Sequence, residues 1–514
     1  MFRSNVKWGT YAEFQFKPGT QRVLGDGLLF LPLWQDDTSL LFADIRGQGD
    51  DGNNSEGNWG LGLRSIIDDR WIVGGYAYYD RRWTEHSNEI PQLTVGMEAL
   101  SVTWEARVNG YLPDTNVKTI GQIVTSGSPR AVFDGNTILV VTDGRSQAFE
   151  TAYWGVDAEI GMLLAEIGNR GNVELRGFVG GFHFGTNENL PNISGPRSRL
   201  ELRLYDLEIL GAGSRLTLGA DYQWDAVRKD QFFAMLRVRI PLGFGRRKPR
   251  LNRLERRMLD RVVRDVDVVA SAGRRPVPDI REPALYDDTG QPVGRISVVD
   301  AQTPNVPQAV QGAGAGSTVI ADGSRGTINT VASINVQTNQ TLRGAGFRVR
   351  GARTGATAIF GTRPTIQSTT AAQDVVVVGV DSTVRDLDVV GGRFGIATGN
   401  AGSDPLTTGS LIANNRVSGA ASDGFNFGTV NGSVSGNTST GNAGDGFDFG
   451  DVSVAATVID NSSTGNTLAG FRFQDIDGTF SNNTATQNGD DGFEFEDVDG
   501  LFSNNAAIGN SDDG

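Results

Sequence analysis

Between Phe232 and Leu242 every second residue is apolar: Phe232, Ala234, Leu236, Val238, Ile240 and Leu242 fall on one side. Phe233, Met235, Arg237 and Arg239 fall on the other. A two-residue period is a β-strand, and about ten residues with apolar-out, charged-in alternation suit one strand of a transmembrane barrel. The same pattern predicts twelve strands, at 8–16, 27–34, 38–46, 56–66, 70–80, 91–100, 101–113, 148–165, 172–185, 197–207, 214–224 and 229–242. Their polar faces carry both signs of charge. Glu105 and Arg107 oppose Val102, Trp104, Ala106 and Val108; Asp157 and Glu159 oppose Trp154, Val156 and Ala158. Glu201 and Arg203 oppose Leu200, Leu202 and Leu204, and Asp221 opposes Leu216, Leu218 and Ala220. These residues, with Arg237 and Arg239, are the candidate lumen lining.

A soluble β-sandwich also alternates. Against it stand the mixed charges of the polar faces and the spacing of the segments. Connections after even-numbered strands are short, whereas PGTQRVLGDG, GQGDDGNNS and RWTEHSNEI follow odd ones. Short turns on one side and long loops on the other mark outer-membrane barrels. Trp8, Trp34, Trp59, Trp71, Tyr79 and Trp224 lie near segment ends, where interfacial girdles form.

Composition narrows the classes further. Cysteine is absent, which excludes thiol catalysis, thiolate metal sites and a disulfide scaffold. A net charge of −14 argues against nucleic acid as a partner. No apolar run approaches the roughly 18 residues of a spanning helix, so any membrane role falls to a closed barrel. MFRSNVKWGTYAEFQF enters a strand pattern with no basic and apolar leader before it, so an exported chain is expected to begin upstream of this sequence.

After Gly243 the period changes. RRKPRLNRLERRMLDRVVRDVDVV is basic and places Leu251, Leu254, Met258 and Val262 at helical spacing. An even number of strands returns the chain to the side on which it entered. A basic segment carrying Arg250, Arg253, Arg256, Arg257 and Arg261 suits passage through an acid-containing lumen, with Glu105, Asp157, Glu159, Glu201 and Asp221 as the expected partners. An ordinary solvated basic helix fits the same residues.

The ordered strings GLLFLPLW, TSLLFADIRGQ, WGLGLRSIIDDRWIVGGYAYYDRR, EALSVTWEARVNGYLP and SRLTLGADYQWDAVRKDQFFAMLRVRIPLG, with the trailing LERRMLDRVVRDVDVV, resemble the β-domain of inverse autotransporters, the intimin and invasin group. The resemblance spans roughly residues 8–270. It implies a twelve-stranded outer-membrane barrel, contact with outer-membrane lipid and the barrel-assembly machinery, and a linker that threads the pore to a surface passenger. The sequence departs from the best-known members in lacking tandem immunoglobulin-like domains.

Ser271 to Gln311, rich in proline and small polar residues, reads as an extended spacer. Beyond Leu411 a repeat takes over. Gly424, Gly446, Gly470, Gly492 and Gly514 recur at steps of 22, 24, 22 and 22, the first four followed by an aromatic pair such as Phe447 and Phe449. A fixed period in the low twenties means a solenoid. Asn415, Asn437, Asn461, Asn483 and Asn505 form one expected ladder, and Asn442, Asn466, Asn488 and Asn510 a second, because asparagine tolerates the left-handed conformation and its amide bonds neighbours above and below. This half resembles a right-handed parallel β-helix of the pectate-lyase-like kind, with 317–410 as less regular early rungs. Gly514 falls in mid-rung, so a longer passenger is expected.

The expected architecture is therefore all-β: a barrel over 1–245, a basic segment and linker over 246–311, and a parallel β-helix over 312–514. Asp490 and Asp491 are candidate calcium ligands, although Ala469 interrupts their column and Asp-Gly also simply makes a turn. No residue is nominated as catalytic. The passenger reads first as an adhesin for a host, cell-surface or glycan ligand, and second as a surface-tethered polysaccharide lyase or hydrolase.

Overall fold

Alternation becomes a wall. In the computed structural model, which describes residues 7–168, 172–242, 251–265, 267–399 and 402–514, twelve antiparallel strands from Tyr11–Pro18 to Lys229–Pro241 close into a barrel. The first and last strands pair, Phe14 opposite Val238 and Gln15 opposite Arg237, so no edge remains. Closure is what lets a sheet cross a bilayer, where every backbone group needs an internal partner. Phe232 is 50% exposed and Leu236 43%, while Met235 between them is 4%. The apolar face thus points outward to lipid. Among the described residues, no helix is long and apolar enough to cross a membrane.

Each predicted segment overlaps one barrel strand, but details differ. The segment 148–165 joins two strands: Arg145–Ala152 lies outside the barrel and Trp154–Ile167 within it. Buried Tyr153 separates them, its amide donating to the Val269 carbonyl. Most of the expected long loops are strand, because alternation continues through their polar residues. The connections 19–22, 51–54 and 84–88 are short, and only 114–153 is extensive. Trp8 does not join a girdle. It is buried inside the barrel mouth, where its indole N–H donates to the Glu255 carbonyl at 3.0 Å. Trp34, Trp59, Trp71, Tyr79 and Trp224 are exposed on the outer wall.

The chain divides into two units, Met1–Val124 with Ser146–Val277, and Thr125–Arg145 with Pro278–Gly514. The second is built around a parallel β-solenoid whose three main sheets have nine, eight and seven strands among the described residues, with a five-stranded sheet beside its first turns. One turn illustrates all. Ser433–Ser435, Thr438–Thr440 and Phe447–Phe449 each stack in register on the next turn, at Thr457–Ile459, Ser462–Thr464 and Phe471–Arg472. Val434, Ser439, Phe447 and Phe449 are buried. The Phe425, Phe447 and Phe471 rings stack at 4.6 Å between successive centroids.

The expected spacer is structured. Strands Ala270–Pro276, Ile280–Tyr286 and Ile296–Asp300 and the helix Val306–Ala313 occupy it. Proline is tolerated there because Pro307 falls in the first helical turn and the strands are short. Val306 and Val310 close the solenoid core at its first turns.

Candidate functional site

The barrel lumen holds the basic segment. Its helix is brief, Arg253–Arg257, opened by a capping box in which Asn252 and Glu255 exchange side-chain and backbone bonds. The predicted helical spacing stops there. From Met258 onward, wall side chains take the backbone groups that a helix would have paired. Arg64 donates to the Met258 and Asp260 carbonyls, both at 2.7 Å, and Arg46 to the Val262 carbonyl at 2.9 Å. Arg82 donates to Val268 O at 2.8 Å, and the Val268 amide donates to Glu56 at 2.9 Å. Leu254, Met258 and Val262 nonetheless share one apolar cluster with Trp8, Tyr11 and Phe42.

Charges lock the segment along its length. Arg253 meets Glu166 at 2.6 Å and Arg257 meets Glu105 at 2.8 Å. Arg261 pairs with Asp26 at 2.7 Å and Arg264 with Asp80 at 2.8 Å. Its own acids reach outward too: Asp260 to Arg215 and Asp265 to Arg197, each at 2.7 Å. Leu254 packs beside Trp8 at the mouth where the first strand starts, and Val268 packs beside Ile90 and Ala152 at the opposite mouth. The segment therefore traverses the pore.

Of the five acids expected to receive its arginines, Glu105 does so. Glu159 pairs with wall residues Arg107 and Arg199, Asp157 lies 3.7 Å from Arg197, Glu201 is held by Arg199, Arg203 and Arg237, and Asp221 meets Lys17 at 2.6 Å. Arg239 binds Glu13. Asp26, Asp80 and Glu13 were missed, although each lies in an alternating strand. Sequence shows which acids face inward but not the angular position of the threaded chain. Arg256 lies over the Tyr205 ring at 4.5 Å. Arg250 lies outside the described residues.

On the solenoid, both asparagine ladders are present. The Asn415 amide donates to Asn437 Oδ1 at 3.0 Å, Asn437 to Asn461 at 2.9 Å, and Asn461 to Asn483 and Asn483 to Asn505 likewise at 2.9 Å. Asn442, Asn466, Asn488 and Asn510 repeat the arrangement. Left-handed backbone falls not on the ladder residues but on those before them: Asn414, Gly436, Asp460, Asn482 and Asn504. The tight turn precedes the amide that it aims. Aspartates form a partial third column, with Asp423 accepting from the Asp445 amide, Asp445 from Ala469 and Asp491 from Asp513. This explains why alanine interrupts the column without breaking the turn, since Ala469 still supplies the amide. Carboxylate oxygens of Asp490, Asp491 and Asp512 lie within 4.8 Å of one another.

One solenoid face concentrates titratable groups. Asn426 Nδ2 bridges Asp423 at 2.8 Å and Asp448 at 2.9 Å, and Arg472 Nη1 lies 3.7 Å from Asp445. Burial, then the neighbouring Asp423 charge, push Asp445 up to about 7 and Asp448 up to about 6. Asp448, Arg472 and Glu494 border a shallow groove with Phe427, Phe449 and Phe473.

The family model described as "Inverse autotransporter, beta-domain" matches residues 10–135. No curated protein matches the chain. Among solved structures, the translocator domain of autotransporter NalP from Neisseria meningitidis is similar at 9% identity, covering 45% of this chain and 88% of that one, with a TM-score of 0.24. The beta domain of the Bordetella autotransporter BrkA is similar at 12% identity over 46% and 99%, TM-score 0.24. The outer membrane phospholipase A from Escherichia coli is similar at 12% identity over 45% and 89%, TM-score 0.24.

Proposed function

We propose that this chain, whose residues 10–135 match the inverse autotransporter β-domain model and whose twelve-stranded barrel is followed by a β-solenoid, displays that solenoid at the surface of an outer membrane as an adhesin. The observation that carries the proposal is the threaded lumen: a barrel filled by its own linker is a display anchor and not an open diffusion pore. The passenger's repeating residues go into stacked phenylalanines and amide ladders, which make a stiff rod with an acidic exterior. Such a rod offers many equivalent faces, and multivalent contact raises avidity without any single deep pocket. The ligand class is a host, cell-surface or glycan molecule, and the barrel-assembly machinery inserts the anchor. No cofactor is used in this role.

The test is adhesion of a non-adherent Gram-negative host displaying the full chain. Binding to epithelial cells or immobilised glycans is expected to vanish when residues after 311 are removed while the barrel stays in the membrane. Equal binding by both strains overturns the reading.

A second reading rests on the raised acids Asp445 and Asp448 beside Arg472, since a carboxylic acid kept protonated near neutrality is what glycoside cleavage uses as its general acid. Depolymerisation of an acidic or neutral polysaccharide by displaying cells, lost in Asp445→Asn, favours a surface-tethered carbohydrate-active enzyme. Adhesion without turnover favours the first reading.

A further inference from the structure

The one extensive connection of the barrel, 114–153, contains four strands. Lys118–Thr125 and Arg145–Ala152 pair in a three-stranded sheet whose third member is Ala270–Pro276, the stretch that follows the lumen segment. Arg130–Asp134 and Thr137–Thr142 form a hairpin that belongs to the solenoid unit, where Thr137–Thr142 pairs with Ile280–Tyr286. The register of the two pairings is one and the same. Ala152 opposes Ala270, Ser146 opposes Pro276, Thr142 opposes Ile280 and Leu139 opposes Pro283. Within each pairing, one step back along the loop matches one step forward along the linker.

The hairpin also completes the solenoid's first turns. In the strand Thr318–Asp322, Val319 and Ala321 face the main core while Ile320 faces the other way. Ile320 is buried by a separate cluster that includes Ile138 and Val140 of the hairpin, with Ala284, Val349 and Phe360. The Ile296 amide, on the first strand of the nine-stranded sheet, donates to the Asn136 carbonyl at 2.8 Å. A solenoid cannot leave its end turn uncovered, and its folding propagates from wherever a first edge is supplied. Until the linker pairs with it, Arg145–Ala152 presents a strand edge, and such an edge is a template for an extended chain.

We propose that the loop 114–153 is an intramolecular folding template and cap for the passenger. The linker adds to Arg145–Ala152 as a strand after it leaves the lumen. It then runs on in the same register onto Thr137–Thr142, and the resulting sheet, sealed by Ile138 and Val140, gives the first solenoid strands their docking surface. Later turns follow by stacking. The template reads backbone and needs no ligand, so it acts whether the passenger adheres or catalyses.

Two measurements on the full chain displayed on cells test this. In pulse-chase, Ile138→Asp with Val140→Asp is expected to leave barrel assembly intact, read by heat-modifiable mobility. The passenger still reaches the surface, read by antibody accessibility, but its acquisition of protease resistance slows by about tenfold or more, as for substitutions in a folding nucleus. Resistance gained at the wild-type rate overturns the proposal. If the double variant fails to assemble its barrel, order of events decides instead. With Leu139→Cys and Pro283→Cys, the cross-strand disulfide is expected to form before the turns around Asn483 resist protease. Resistance there before the disulfide overturns it equally.

Discussion

The Arg264 guanidinium and the Asp80 carboxylate face each other inside the pore, bonded through both Nη nitrogens at 2.8 and 3.2 Å, and neither side chain is exposed. One belongs to the threaded segment and the other to the wall. Asp80 is further held by Asn58 at 2.8 Å and Thr94 at 2.5 Å, so its position is fixed before the segment arrives. Removing one partner of a buried pair leaves an uncompensated charge, which costs about 3–5 kcal/mol, whereas removing both costs less. Asp80→Ala is therefore expected to lower the temperature at which the barrel loses heat-modifiable mobility and to raise its conductance in planar bilayers. Asp80→Ala with Arg264→Ala is expected to recover part of the loss. A double variant as impaired as the sum of the singles would show that the pair does not hold the plug.

The ladders make a graded prediction along the rod. Asn461 Oδ1 receives both the amide and the side chain of Asn437, at 2.9 and 3.0 Å, and its own Nδ2 serves Val434 O and Asn483. Asn461→Ala strands a buried amide, at a cost of about 1–3 kcal/mol. Asn505, at the last described turn, is only part-buried, and its alanine variant is expected to cost less. Thermal melts followed by far-UV circular dichroism on the purified full chain check the order. A larger loss at Asn505 than at Asn461 would contradict the ladder's role.

How much of this was readable beforehand follows from what each pattern encodes. Period two fixes which way a side chain faces, and Arg237 and Glu201 lie buried on the inward face that it indicates. It does not fix rotation about the barrel axis, so Asp26 and Asp80, the partners of Arg261 and Arg264, went unnamed. Helical spacing at Leu254, Met258 and Val262 is real, yet the helix ends early because Arg64 and Arg46 compete for the carbonyls. The 22-residue repeat gave the ladders directly, since stacked turns repeat every residue's environment. The pairing of the hairpin at 130–142 with the linker was illegible: Gly135-Asn136 marks the turn, but the partner strand lies more than a hundred residues away and nothing local marks it.

Asp445 gives the solenoid a pH dependence whose sign is fixed by its shift. Burial and Asp423 raise it to about 7 in the folded chain from an ordinary value of 3.8. Between those values the folded state holds a proton that the unfolded chain has released, so stability falls as pH rises from about 4 to 7. Asp448, raised to about 6, acts in the same direction. The passenger transition is expected at a higher temperature at pH 5 than at pH 7.5, and Asp445→Asn is expected to flatten that difference. A transition that rises with pH in the wild type and is unchanged by Asp445→Asn would remove these acids from the account.

Two glycines 19 residues apart, Gly446 and Gly465, separate steric need from backbone need. A Cβ on Gly446 would sit 2.0 Å from Ser463 Oγ and 2.6 Å from the Gly470 carbonyl, with the next turn packed directly against it. Gly465 has a positive φ of 66° and open space around it. Alanine at Gly465 therefore meets only left-handed strain, about 1–2 kcal/mol, and the rod should still stack. Alanine at Gly446 must push two turns apart, breaking the Phe447 amide bond to Gly470 O at 3.1 Å and the ring stack that follows. Limited proteolysis of displayed passenger is expected to cut the Gly446→Ala chain near that turn at temperatures where the Gly465→Ala chain stays whole. Equal resistance of the two variants would mean that the turns are not packed as tightly as these distances require.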